Sequence, residues 1–406
     1  MIMKTLFLQK SYKIFLCILS ILLISGCWDS NELQDFSIIS GIGIDKGGND
    51  PENRFRLTVQ IINPSIVSGG QQGGNVQSSP VTTYSETGST LKEALRKISN
   101  EAPAELFFPH IQIMLIGEEL AKEGIQELFD VIERDPKFRV LFPVLIVKGH
   151  TAEAALKVST SLRPIPSAKI EGSLQSSKAI WGEHPSTRAD QAIMKLGEGS
   201  AAITGIEING DVEKGNQTAN MQEISQSTKL EIKGLAIIRD GKLEKWLEGV
   251  PARGVVWANN EIEETVMNLD CPKKKDAVAI DIGRAESIIK AEVKKNKPVI
   301  TIKINAEGAV SETHCSLELD KDETIKELET QLRTEIKDEV QTAIKTLQEE
   351  KGDVFGFREY INIADKNYWK KIKDKWEEEI FPESEVNIEV NATIRRTGMK
   401  VKSYIK

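Results

Sequence analysis

Apolar positions recur in two rhythms along this chain. An alternating rhythm marks strands: Phe55, Leu57, Val59 and Ile61 share one face of residues 54–62, and Val386, Ile388, Val390, Ala392 and Ile394 share one face of residues 386–394. A rhythm of three or four marks helices. Its clearest case is residues 321–349, where Ile325, Leu328, Leu332, Ile336, Val340, Ile344 and Leu347 form one stripe on an otherwise charged helix. Packing of that stripe over a sheet is the simpler expectation, with a coiled-coil partner as the alternative.

The same reading covers most of the N-terminal half. Residues 36–45 read as a strand with close backbone packing at Gly41 and Gly43, joined to residues 54–62 through a polar turn. Residues 63–79, rich in Gly, Ser and Gln, read as a loop, and residues 81–85 as a short strand. Thr90 followed by Glu93 is a capping-box pattern opening a helix with Leu91, Leu95 and Ile98 on one face. A strand at 111–116, a helix at 118–133, a strand at 140–147 and a short helix at 151–158 follow. Pro143 argues for an edge or a bulge in that strand. Residues 159–186, with three prolines and little periodicity, read as an extended connector. A helix at 187–196 and a strand at 201–208 precede a polar stretch at 209–227.

Beyond it, Asp240-Gly241 between two apolar runs is a hairpin signal, and residues 254–257 continue a sheet-like pattern. Residues 277–282, 285–293 and 299–307 read as successive antiparallel strands, and residues 366–379 as a helix with Trp369, Ile372 and Trp376 on one side. Strands interleaved with amphipathic helices give an α+β, multidomain fold with mixed and antiparallel sheets. The expected division is an N-terminal α+β domain with the connector over 27–197, a middle strand and polar boundary over 198–229 that could belong to a small middle domain, and a C-terminal α+β domain over 230–400.

Residues 1–26 depart from both rhythms. Lys4, Lys10 and Lys13 precede an apolar run of about ten residues, short of the roughly 20 that a spanning helix needs. Ser25 and Gly26 are the small residues of a cleavage site. The run Leu23-Ile24-Ser25-Gly26-Cys27 resembles the bacterial lipobox, which implies a diacylglycerol on Cys27 and a mature chain beginning there. One acyl chain holds a membrane marginally and two hold it stably. The alternative is a plain secreted protein.

Loss of the three leader lysines moves the formal charge from −8 to −11. That balance argues against nucleic acid as a partner and against adhesion to an anionic lipid surface, so the anchor must do the holding. Of the four cysteines, Cys17 leaves with the leader and Cys27 is acylated, leaving Cys271 and Cys315. An outside location permits a disulfide. The alternation of Cys315 with apolar neighbours favours two buried thiols.

No catalytic motif emerges. GxxxxGK[ST], GxSxG, HExxH and calcium-loop patterns are missing, and His110, His150, His184 and His314 lie far apart in sequence, so no catalytic, cofactor or metal residue is assigned. Asp353 and Glu359 could flank a cleft, and Glu377, Glu378 and Glu379 read as a solvated helix face. Trp28, Asp29 and Glu32 after the lipid are candidate partner contacts, with Trp28 suited to a membrane interface; local packing or capping is the alternative.

The segments Cys27-Trp28-Asp29, Glu32-Leu33 and Gly41-Ile42-Gly43-Ile44-Asp45 resemble the opening of the spore germination receptor C subunits. The resemblance returns at Gly234-Leu235-Ala236, Asp240-Gly241, residues 254–257, Gly352-Asp353-Val354-Phe355-Gly356-Phe357, residues 369–376, residues 386–394 and Arg395-Arg396-Thr397-Gly398. Ser30 and Asn31 stand where many relatives carry arginines. The resemblance implies three α+β domains on the outer face of the spore inner membrane, in complex with polytopic membrane subunits of the same germinant receptor. It implies an accessory, non-enzymatic subunit supporting assembly or signalling. A direct small-nutrient-binding lipoprotein is the alternative, and a cell-wall enzyme a third.

Overall fold

The computed structural model describes residues 36–68, 79–272 and 274–396. Two mixed sheets organise it. The larger has the order β3-β2-β1-β5-β6-β7-β8-β9, with β4 beside β1. Its strands are β1 (Phe36–Lys46), β2 (Phe55–Ile62), β3 (Val81–Gly88), β4 (Glu105–Phe107), β5 (Ile113–Gly117), β6 (Val144–Lys148), β7 (Ser200–Asn209), β8 (Lys229–Arg239) and β9 (Lys242–Leu247). The centre β1-β5-β6-β7 is parallel and the flanks are antiparallel.

A parallel centre must be covered on both faces. Met114 and Ile116 of β5 face a core shared with helices α1 (Leu91–Ile98), α3 (Gln126–Arg134) and α6 (Ala189–Glu198). Ile113 and Leu115 face the opposite core, built with α4 (Ala152–Lys157) and α5 (Pro166–Ile180). Thr90 caps α1 as expected, accepting the Glu93 N–H at 3.1 Å, while the Glu93 carboxylate reaches back to the N–H of Ser89 rather than of Thr90.

The smaller sheet has the order β10-β11-β12-β13: β10 (Thr265–Cys271), β11 (Lys274–Lys294), β12 (Lys297–Thr313) and β13 (Glu385–Arg396), the last parallel to β12. Helices α7 (Val250–Ala258) and α8 (Asp322–Glu349) share its core, where the α8 stripe packs as the periodicity requires. Segment 353–381 adds α9 (Phe357–Ala364), α10 (Lys366–Ile372) and the buried rings of Phe357, Trp376 and Phe381. Leu235, Ile237 and Leu247 of β8 and β9 also enter this core. The hairpin expected at the head of the C-terminal half therefore pairs with β7 in the large sheet and links the two cores.

Several expectations need correction. Residues 159–186 are no extended connector: 15 of them form α5, whose large buried side chains are Ile170 and Leu174 and whose serines hide the period. Residues 254–257 lie in α7, not in a strand. This helix is apolar on nearly every side because it is buried on nearly every side, which erases its periodicity. A Cβ on Gly254 would stand 2.2 Å from the Glu339 carbonyl oxygen of α8, so glycine sets the helix contact. Pro143 marks neither an edge nor a bulge. It precedes β6, which lies between β5 and β7, and its carbonyl accepts the Met114 N–H at 2.9 Å. The helix expected at 118–133 breaks at Gly124 into α2 (Glu118–Glu123) and α3. The two strands expected over 277–293 are one, β11, bent by register shifts at Ala279/Ile280 and Ile282/Arg284. Residues 366–379 are α10 followed by a 3-10 turn and a π turn. The loop expected at 63–79 holds a short helix, Pro64–Ser68, and residues 209–227 hold Val212–Gly215 and Thr218–Gln222.

Cys271 and Cys315 are joined as a disulfide, with Cα atoms 6.7 Å apart, which overturns the expectation of two thiols. The burial that suggested thiols is real for Cys271, at 7% exposure, but is equally the environment of a bridge tying the end of β10 to the segment after β12.

Candidate functional site

The residues assigned from sequence to the tether and to partner contact, Cys27, Trp28, Asp29 and Glu32, lie outside the described residues. The chain that follows them is built around one seat. Gly41 and Gly43 of β1 let α4 and α5 close onto the strand: a Cβ on Gly41 would meet Ser167 Cβ at 2.9 Å, and one on Gly43 would meet Ala152 Cβ at 3.1 Å. Asp45 then caps α4, its two oxygens accepting the N–H groups of Ala152 at 2.7 Å and Glu153 at 2.9 Å. Burial pushes the Asp45 carboxyl up to about 6, against the pull of those hydrogen bonds. The glycines' expected role in sheet packing is thus met, and Asp45 completes it.

His184 is a second buried anchor. Its Nδ1 meets Ser177 Oγ at 2.8 Å and its Nε2 accepts the Gly234 N–H at 3.1 Å, tying α5 to β8. Burial holds the imidazole neutral, with its pKa down to about 4.

Asp353 and Glu359 do flank a cleft, as the sequence suggested. The Asp353 carboxylate is buried and accepts three N–H groups: Phe357 at 3.1 Å, Arg358 at 3.0 Å and Trp376 Nε1 at 2.9 Å. It fixes the turn that starts α9, and burial pushes its pKa up. Arg358 pairs with Glu377 and stands 3.9 Å from Asp353. The sequence read Glu377 as part of a solvated face, but it is largely buried and holds this guanidinium; Glu378 and Glu379 are exposed as expected.

Opposite α9 stands the corner where α6 turns into β7 through Gly199, against which the Arg358 guanidinium packs. The space between is about 240 Å³. Its far wall is the end of α7 and the inner face of β11, fixed by the Ser287 N–H donating to Asn260 Oδ1 at 2.7 Å. Glu198 of α6 and Glu359 of α9 both line this space. Partial burial and the neighbouring Glu359 carboxylate raise the Glu198 pKa to about 7, so Glu198 is partly protonated near neutral pH. Glu198 escaped the sequence reading because a glutamate at a helix end, 161 positions from its partner, carries no periodic signal.

Among the described residues, no group of three His, Cys, Asp or Glu side chains is placed to hold a metal ion, and no helix is long and apolar enough to cross a membrane. Fold and cleft define an α+β protein of two mixed sheets whose buried polar groups fix turns and helix ends. Two family models match it: the spore germination protein N-terminal domain over residues 29–208, and the spore germination B3/GerAC-like C-terminal domain over residues 233–398. Spore germination protein KC of Bacillus subtilis (strain 168) is 32% identical over 397 residues, covering 97% of each chain. Spore germination protein YndF of the same organism is 26% identical, covering 96% of this chain and 97% of that one. The crystal structure of the GerBC protein shares the fold, with a TM-score of 0.53 and 22% identity, over 90% of this chain and 100% of that one. The chain belongs to the GerAC family of spore germination proteins. Membership of this family supports a germinant-receptor-associated role.

Proposed function

We propose that this chain is the lipid-anchored accessory subunit of a nutrient germinant receptor. A diacylglycerol on Cys27 holds it to the outer face of the spore inner membrane, and its partners are the polytopic membrane subunits of the same receptor. There it supports receptor assembly or passes a conformational signal that starts germination.

The observation that carries this reading is the extent of the family match. It spans both halves of the fold and begins at residue 29, next to the lipobox-like cysteine. A leader too short to span a bilayer, followed by a large polar-surfaced α+β body, supports a tether over an integral protein. Three interior polar groups of the body, Asp45, His184 and Asp353, each accept backbone N–H groups, as in a scaffold.

Deletion of the gene from an otherwise complete receptor operon tests the reading. The spores are expected to lose the response to one nutrient class and keep nutrient-independent germination. A normal nutrient response would overturn it.

A further inference from the structure

We propose that the cleft between the α6–β7 corner and α9 binds one alkylammonium or alkylguanidinium group, with its charge on Glu198 and Glu359 and its stem against Met194 and Tyr360. The proposal rests on the geometry of the cleft and goes beyond the receptor reading, which survives its failure.

The charges lining the cleft are unbalanced. Arg358 is committed to Glu377 and Asp353 below the floor. Lys195 acts on Glu261, whose carboxyl it stabilises against burial. Glu198 and Glu359 are left together in the lining, and neither forms an ion pair with a described residue. Two carboxylates held this way favour any cation that can enter, because it removes their mutual repulsion.

A second observation points to a ligand that donates hydrogen bonds. Ser200 also lines the cleft and is 5% exposed, yet its Oγ has no hydrogen-bond partner. Burial raises the pKa of the neighbouring Glu377 carboxyl, which falls short of hydrogen-bond geometry with this hydroxyl. A buried hydroxyl left unpaired is destabilising, and an entering N–H donor would relieve it.

The rim fits the rest of such a ligand. Met194, 58% exposed, and Tyr360, 36% exposed, stand at the mouth as apolar surfaces without a cover. A thioether and a phenol ring suit an alkyl stem, and the ring face attracts a nearby cation. At about 240 Å³ the space falls below the roughly 300–1,000 Å³ of drug-sized sites, so a single cationic group is the right scale.

Two sources share this chemistry: a free amine, or a lysine or arginine side chain of a partner protein. Calorimetric titration of the purified full chain separates them. The probes are n-butylammonium, n-butylguanidinium, the blocked peptide acetyl-Gly-Lys-Gly-amide, and n-butanol as the neutral control, each at pH 6 and pH 8. Cation affinity is expected to rise about tenfold between these pH values, because the ligand displaces the Glu198 proton. Glu198→Gln and Glu359→Gln are each expected to weaken binding about tenfold and to abolish the pH dependence, with unchanged melting curves showing that the fold is intact. Binding of the free amines makes a small ligand sufficient, whereas binding of the peptide alone assigns the site to a partner's side chain. No binding of any cation at 50 mM, equal binding of n-butanol, or undiminished binding to the double Gln variant would overturn the proposal.

Discussion

Asp45 Oδ1 accepts the Ala152 N–H at 2.7 Å, joining residues 107 positions apart in the sequence. The bond closes a short argument that runs through Gly-Ile-Gly-Ile-Asp. Two positions without a Cβ bring α4 down onto β1, and the carboxylate at the end of the strand satisfies the first N–H groups of that helix.

Replacing Asp45 by Ala leaves both N–H groups buried without acceptors, so a loss of about 1–3 kcal/mol is expected in urea denaturation. Asp45→Asn retains a capping oxygen and is expected to lose less than half of that. Equal loss in the two variants would show that the cap is not what Asp45 supplies.

Close packing makes a separate demand on the glycines. Gly41→Val places a branched side chain where a Cβ alone meets Ser167 Cβ at 2.9 Å. Overpacking of this kind costs about 1–3 kcal/mol. A variant with the wild-type denaturation midpoint would mean that α5 can withdraw from β1 freely.

Asp45 and His184 give opposite pH dependences. The folded pKa of Asp45, about 6, lies above its ordinary 3.8, so its contribution is full below 3.8 and is lost as pH rises through 6. The folded pKa of His184, about 4, lies below its ordinary 6.5, so its contribution is full above 6.5 and is lost as pH falls through 4. The two slopes oppose each other between about pH 4 and pH 6. Relative to wild type, Asp45→Asn is therefore expected to lose stability on acidification from pH 6.5 to 4.5, and His184→Gln to gain it. Parallel stability–pH curves for all three proteins would refute both assignments.

These buried anchors mark how far the sequence could be read. The strand β2 alternates although Thr58 and Gln60 on its polar face are fully buried. The α8 stripe and the alternation in β13 were legible because one face of each element meets a core and the other meets water. The α7 helix was not, since burial on nearly all sides removes the contrast that periodicity needs. Nor was α5, whose serine-rich faces look like loop composition. Half of the cleft was visible in the spacing of Asp353 and Glu359. The other half, Glu198 and Ser200, depends on the α6–β7 corner meeting α9, a contact between remote segments that no local pattern encodes.

The Cys271–Cys315 bridge closes a loop with a sequence separation of 44 residues, for which constraint of the unfolded chain is worth about 2–4 kcal/mol. Mass spectrometry of a non-reduced digest is expected to find the two cysteine peptides linked, and Cys315→Ser to lower the unfolding midpoint of the smaller sheet. Alkylation of both thiols without prior reduction would contradict the pairing.

Cys27→Ala is expected to abolish metabolic labelling with a fatty acid and to move the protein from the membrane to the soluble fraction. Unchanged labelling and fractionation would remove the tether from the account.

Crosslinking in intact spore membranes, with the captured proteins identified by mass spectrometry, reaches furthest into the proposed role. The expected result is capture of the polytopic membrane subunits of the same receptor by the wild-type chain, with capture lost in the Cys27→Ala variant. Wild-type protein that is abundant and membrane-bound, yet yields none of those subunits, would contradict an accessory role in the receptor.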